Sequence, residues 1–205
     1  MCCKPEPGFI RKSFPKDKVY SVYLSQINIM EKTIIALGEK DQNLAYEASM
    51  DIGFKLFPII ESISLNILGK RNGREYLKTL DYSGRESDMI YSMFRNGITH
   101  SLNPYEFKFE NGVVSWGLMS SGGSSGFTPH FPGYKDKNNP DLNMPADKAF
   151  TLEKLSDGGF HASLSLDRLV AQIRFDLNER LKTDKRGKID VVIGQRLSGK
   201  VPFSG

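Results

Sequence analysis

Apolar residues recur at helical spacing through the first half of the chain. Tyr20, Tyr23, Leu24, Ile27, Met30, Ile34 and Leu37 share one face of a helix predicted over 19–37, with Gly38 placed to stop it. A second helical pattern runs from about 41 to 68 on Leu44, Ala48, Ile52, Leu56, Ile59, Ile60, Ile63 and Ile67. Pro58 lies inside it and lacks the N–H that the helical ladder needs, so a kink or a division is expected there. Gly69 and the polar run after it end the segment, and a short helix follows around 74–80. Ser83 is a natural cap for another helix over about 85–102, whose face carries Met89, Ile90, Met93, Phe94, Ile98 and Leu102. Pro104 stops it.

The period then changes from helical to alternating. Tyr105, Phe107 and Phe109 alternate with charged residues, Asn111-Gly112 is a strong hairpin turn, and 113–118 reads as the returning strand. Glycine and serine dominate 117–126, and the loop continues to about Asp147 with prolines at 129, 132, 140 and 145, long enough to suggest a function of its own or disorder. A second hairpin is predicted from 149–155 and 159–164 around Asp157-Gly158-Gly159. Ser165 then caps a final helix to about 182, with Leu166, Leu169, Val170, Ile173, Leu177 and Leu181 in register. The fold class expected from this pattern is mainly α: a four- or five-helix up-and-down bundle with a small antiparallel β insertion before the last helix.

Charge divides the chain differently. The net charge of +4 is concentrated at the ends, with five basic and two acidic groups in 1–18 and six basic and two acidic in 182–205. The organisation expected is a basic N-terminal segment over 1–18, a helical domain over 19–182 with its insertion at about 103–164, and a basic C-terminal tail over 183–205. Basic ends can contact phosphate backbones, although solvated tails are the commoner case. An apolar run, 189–193, lies in the tail.

No apolar run approaches the roughly 20 residues of a membrane span, and the N-terminus lacks the apolar stretch of a secretory signal. Cys2 and Cys3 are adjacent, which disfavours a bridge between them and points to a reducing, cytoplasmic setting. His100, His130 and His161 fall at no zinc-ligand spacing with one another or with the cysteines, so neither a metal nor another cofactor is expected. Gly122-Gly-Ser-Ser-Gly126 matches G-x-S-x-G in letters, but a nucleophile elbow needs a strand before the serine and a helix after it. Gly194–Lys200 resembles a phosphate loop, yet Val201 and Pro202 stand where the magnesium-binding hydroxyl and the helix belong, so a plain turn is expected. His130 and His161 are expected to be ordinary surface residues, and Trp116 to pack a hairpin onto the helices.

One segment carries chemistry. Arg95-Asn96-Gly97-Ile98-Thr99-His100 sits near the end of a helical pattern and combines a permanent cation, an amide and an imidazole. A guanidinium can clamp a phosphate, and a neutral imidazole can take a proton from a ribose 2′-hydroxyl. With four residues between Arg95 and His100, and the polar Asn96 after the arginine, the chain resembles the HEPN superfamily of R-x4–6-H helical proteins over about 19–102 and 165–182. The resemblance implies a homodimer with two motif pairs in one cleft, and a metal-independent endoribonuclease acting on RNA. It assigns His100 as general base, Arg95 as phosphate clamp and Asn96 as an orienting donor. The alternative within the same resemblance is a non-catalytic scaffold that binds a partner protein or a small ligand. On an ideal helix Arg95 and His100 stand about 140° apart, so the helix loosens at Gly97, the long arginine side chain wraps round, or a second subunit completes the site. In the bland reading, His100 caps the helix end and Arg95 pairs with a carboxylate.

Overall fold

The computed structural model describes residues 9–38, 42–101, 107–109, 112–119, 149–154, 156 and 158–195. Helix dominates, accompanied by small strand pairs. Strand β1 (Phe9–Pro15) leads into helix α1 (Lys16–Gly38), then α2 (Gln42–Ile67), α3 (Gly73–Thr79) and α4 (Gly84–Met89). A π-helical segment (Ile90–Arg95) connects α4 to α5 (Asn96–Ser101). Strands β2 (Phe107–Phe109), β3 (Gly112–Met119), β4 (Phe150–Lys154) and β5 (Phe160–Ser165) precede α6 (Leu166–Thr183) and a last strand, β6 (Lys188–Gln195).

The predicted helical faces are the core. Tyr20, Ile27, Leu56, Ile60, Ile63, Phe94, Ile98, Leu169 and Ile173 are fully buried, and α1 packs against both α2 and α6. Three buried tyrosine hydroxyls find partners, which spares them the cost of burying an unpaired polar group. Tyr20 donates to Asp184 at 2.8 Å and Tyr76 to Asp176 at 2.8 Å, while Tyr82 bonds Gln172 and accepts the Ala149 N–H at 3.1 Å. Burial, together with the hydrogen bond to Asp184 and its charge, pushes the Tyr20 phenol up to about 12.

Local chemistry sets most of the boundaries. Ser83 and Glu86 form a reciprocal capping box at the start of α4. Asn72 caps α3 by accepting the Arg74 N–H at 3.0 Å. Beyond the end of α2, Gly69 takes a φ of +67°, a conformation that favours glycine, and the Lys70 N–H closes on the Ser64 carbonyl at 3.0 Å. Pro58 does not divide α2. It is solvent-exposed, which leaves water free to satisfy the carbonyl that its missing N–H would have bonded. Ser165 occupies the N-cap of α6 in extended conformation, but its hydroxyl donates to the Asp167 carboxylate instead of capping the helix.

Three further features depart from the sequence pattern. The segment expected as one helix over 85–102 changes its winding in the middle: the Asn96 N–H reaches back to the Tyr91 carbonyl, five residues earlier. This wider turn lets Ile90, Tyr91, Met93 and Phe94 all be buried. The insertion is not purely antiparallel. Hairpins β2–β3 and β4–β5 are, but β3 and β5 join them in parallel, in the order β2-β3-β5-β4. Residues 9–15 and 188–195, read as parts of solvated basic ends, instead pair as an antiparallel ribbon from Phe9↔Gln195 to Pro15↔Lys188. Val191 and the buried Ile189 join the core, which gives the apolar run in the tail its physical reason.

Candidate functional site around Arg95 and the face of α2

Arg95 closes the π-helical segment and Asn96 opens α5. A Cβ on Gly53 of α2 would lie 3.1 Å from Ile98 Cδ1, so the glycine lets α2 and α5 approach closely. This contact brings Arg95 within reach of α2. Its Nε and Nη2 donate to one oxygen of Glu61 at 2.9 and 2.8 Å, and its Nη1 donates to Asn96 Oδ1 at 3.0 Å. Three of the five N–H donors of the guanidinium are thereby fixed, and the side chain keeps a quarter of its surface exposed.

The structure thus joins Arg95 to Asn96, with Asn96 acting as acceptor through its oxygen. It also supplies a residue that the sequence reading did not single out, Glu61. The helical pattern offered no signal for Glu61, because its partner lies 34 positions away on another helix. His100 is carried on α5, and its side chain lies outside the described residues. Because 96–101 is α-helical, Cα positions 95 and 100 keep the wide angular separation of regular winding.

Tyr91, one turn before Arg95, anchors the segment from beneath. Its ring meets Phe57 edge-on at 6.1 Å, and the Arg74 guanidinium lies 5.7 Å from its centroid. Arg74 also pairs with Asp88 at 2.9 Å. The Tyr91 hydroxyl abuts the Gly73 backbone so closely that a Cβ there would lie 1.7 Å from the oxygen. Burial, followed by the nearby Glu61 charge, raises the Tyr91 phenol well above its ordinary range.

A neutral cluster occupies the adjacent part of α2. Tyr23 and Ser62 share a hydrogen bond of 2.7 Å, and Asn66 Nδ2 donates to Tyr23 Oη at 2.7 Å and to Ser62 Oγ at 3.1 Å. Asn66 Oδ1 accepts the Val192 N–H at 3.0 Å, which fastens β6 to α2. Two cavities adjoin this cluster. One, of about 470 Å³, lies between α1, α2 and β6; the other, of about 390 Å³, is lined by Arg11, Glu61 and Arg71; both touch Pro58, Ser62, Asn66 and Val192.

The remaining sequence candidates contribute nothing here. Ser124, His130, Cys2 and Cys3 lie outside the described residues, as does 196–200 of the phosphate-loop look-alike, whose first two residues are the end of β6. Trp116 is on β3, with its side chain outside the description. His161 is half-buried on β5, in register with Ser115 and Glu153. No helix among the described residues is long and apolar enough to cross a membrane. No protein-family model, no curated protein and no solved structure matches the chain.

Proposed function

We propose that the chain is an HEPN-like helical protein, its helices arranged up and down, that cleaves RNA as a metal-independent endoribonuclease at a homodimer cleft. The observation that supports the reading best is the state of Arg95. Glu61 and Asn96 hold its guanidinium in one orientation while two N–H donors have no partner among the described residues. A pre-oriented, partly exposed guanidinium suits a phosphate, and its rigidity removes an ordering cost from the reaction.

In this mechanism His100 removes the proton of a ribose 2′-hydroxyl. The freed oxygen attacks the adjacent phosphorus, the bond to the 5′-oxygen breaks, and the leaving oxygen takes up a proton from solvent. The products are a 2′,3′-cyclic phosphate and a 5′-hydroxyl. Arg95 stabilises the charge that gathers on the phosphoryl oxygens. The partner subunit supplies a second Arg95–His100 pair, which answers the angular separation of the two residues within one helix.

The test is cleavage of single-stranded RNA in EDTA, with the product ends identified by mass. His100→Ala is expected to lower the rate about 10²–10⁴-fold, the usual worth of a general base. Unchanged cleavage by that variant would reject the assignment. The Arg95–Glu61 pair also favours a second reading, a non-catalytic scaffold in which the arginine only ties α5 to α2. Under that reading the wild type cuts no RNA, and Glu61→Gln and Arg95→Gln alter the melting temperature alone.

A further inference from the structure

We infer that the groove between α1, α2 and β6 is a binding site for a small amphipathic anion, with an apolar chain and one carboxylate head. The two cavities that meet there have volumes in the range of small-molecule sites. The larger is walled by Phe14, Val22, Ile59 and Ile193. Three of these are unusually open for large apolar side chains: Phe14 is 36% exposed, Val22 59% and Ile193 48%. Water against that surface is unfavourable by roughly 25 cal/mol per Å² of apolar area that a ligand would cover.

Charge picks the kind of ligand. Among the described residues, Lys18 is the one lysine, arginine, aspartate or glutamate side chain lining the larger cavity, and Arg11 lines the smaller beside Arg71, which already has an interaction of its own. The single acid there, Glu61, is already neutralised by Arg95. The groove therefore combines apolar walls with the cations Lys18 and Arg11 and, among the described residues, no uncompensated acid, which suits an anion and not a cation.

Hydrogen-bond accounting adds a donor at the junction. Both amide hydrogens of Asn66 are spent on Tyr23 and Ser62, and its oxygen on Val192. Of the two hydroxyl hydrogens of Tyr23 and Ser62, one bridges the pair. The other has no partner among the described residues; it belongs either to Ser62, on the wall common to both cavities, or to Tyr23, on the wall of the larger. A carboxylate oxygen accepts such a donor. The same accounting disfavours an added peptide strand: Val192 already gives its N–H to Asn66, so β6 does not offer a continuous free edge there.

The experiment is calorimetric titration of the full chain with decanoate below its micelle-forming concentration, beside acetate and decyltrimethylammonium as separate probes. Decanoate should bind saturably at one per chain and weaken as salt rises, whereas neither control should bind. Val22→Asp and Ile193→Asp change exposed residues, so each should keep the wild-type circular dichroism and melting temperature while losing decanoate binding. Arg11→Glu should weaken it at least tenfold. Absence of saturable decanoate binding overturns the proposal, as does equal binding of the cationic detergent. It is equally overturned if Val22 and Ile193 instead seal a dimer, seen as a wild-type dimer that both aspartate variants make monomeric and decanoate leaves unchanged. None of these readouts involves RNA, so this site and the ribonuclease reading stand or fall separately.

Discussion

Glu61 and Ser62 are neighbours on α2, yet they turn to opposite kinds of partner. Glu61 enters an ionic cluster with Arg95 and Asn96, in which the arginine keeps 25% and the glutamate 35% of its side chain exposed. Ser62 enters a neutral cluster with Tyr23 and the buried Asn66, whose amide is fully used. Exposed ion pairs contribute little net stability because water and salt screen them. A buried amide that loses its bonds costs the full desolvation of what it leaves behind. The ionic cluster therefore contributes little to stability, whereas the neutral one holds β6 in place through Asn66 and still keeps one hydroxyl hydrogen without a partner among the described residues.

Substitutions can break this contrast. The largest effect expected is on chemistry: Arg95→Lys should lower RNA cleavage about 10²–10³-fold, because a point charge cannot reproduce the oriented fork of the guanidinium. Full activity in the lysine variant, measured on the same RNA, would end the clamp role. Next in size is Gly73→Ala, whose new Cβ collides with Tyr91. Urea unfolding should show a loss of about 1–3 kcal/mol, the usual cost of overpacking. Adding Tyr91→Phe should recover only part of it, because the ring carbon Cζ still lies 2.7 Å from that Cβ.

Asn66→Ala sharpens the comparison from the other side. Leaving the Val192 N–H and two hydroxyls short of a partner should cost about 1–3 kcal/mol, and hydrogen exchange should quicken selectively in β6. A uniform loss with no local signature in 188–195 would deny Asn66 its fastening role.

The smallest effect is one of pH. Hydrogen bonds from Lys16 and Tyr20 hold the Asp184 carboxyl below its ordinary range. Its contribution is therefore present above the unfolded carboxylate pKa, about 3.9, and is lost as pH falls through the lower folded value. Asp184 is exposed, so about 0.2–1 kcal/mol is the scale. Asp184→Asn should flatten stability between pH 5 and 2 by that amount, read from urea midpoints.

What the sequence could tell depended on how local each signal was. The faces of α1, α2 and α6 were legible because a helix writes its buried side every three or four residues. The capping box at Ser83 and the hairpin at β4–β5 were equally local. The π-turn was not, since the spacing of Met89, Ile90, Met93 and Phe94 suits ordinary helix, and only the burial of Tyr91 beside them reveals the wider winding. Strand β1 alternates poorly, and its partner lies at the other end of the chain. At the candidate site, Arg95, Asn96 and His100 were singled out from the R-x4-H spacing, whereas Glu61 and the Tyr23–Ser62–Asn66 cluster exist only after α1, α2 and β6 have met.

The pairing of Pro15 with Lys188 also orders events in time. Contacts between distant parts of a chain carry a loop-closure cost and tend to form late. During synthesis, α1 and α2 emerge long before β6, so one wall of the groove is missing until residues 188–195 have been made. A nascent chain or a fragment halted before residue 188 would then expose Val22 and the Tyr23–Ser62–Asn66 cluster with nothing across from them. Such a fragment should associate with itself more readily than the chain that carries β6.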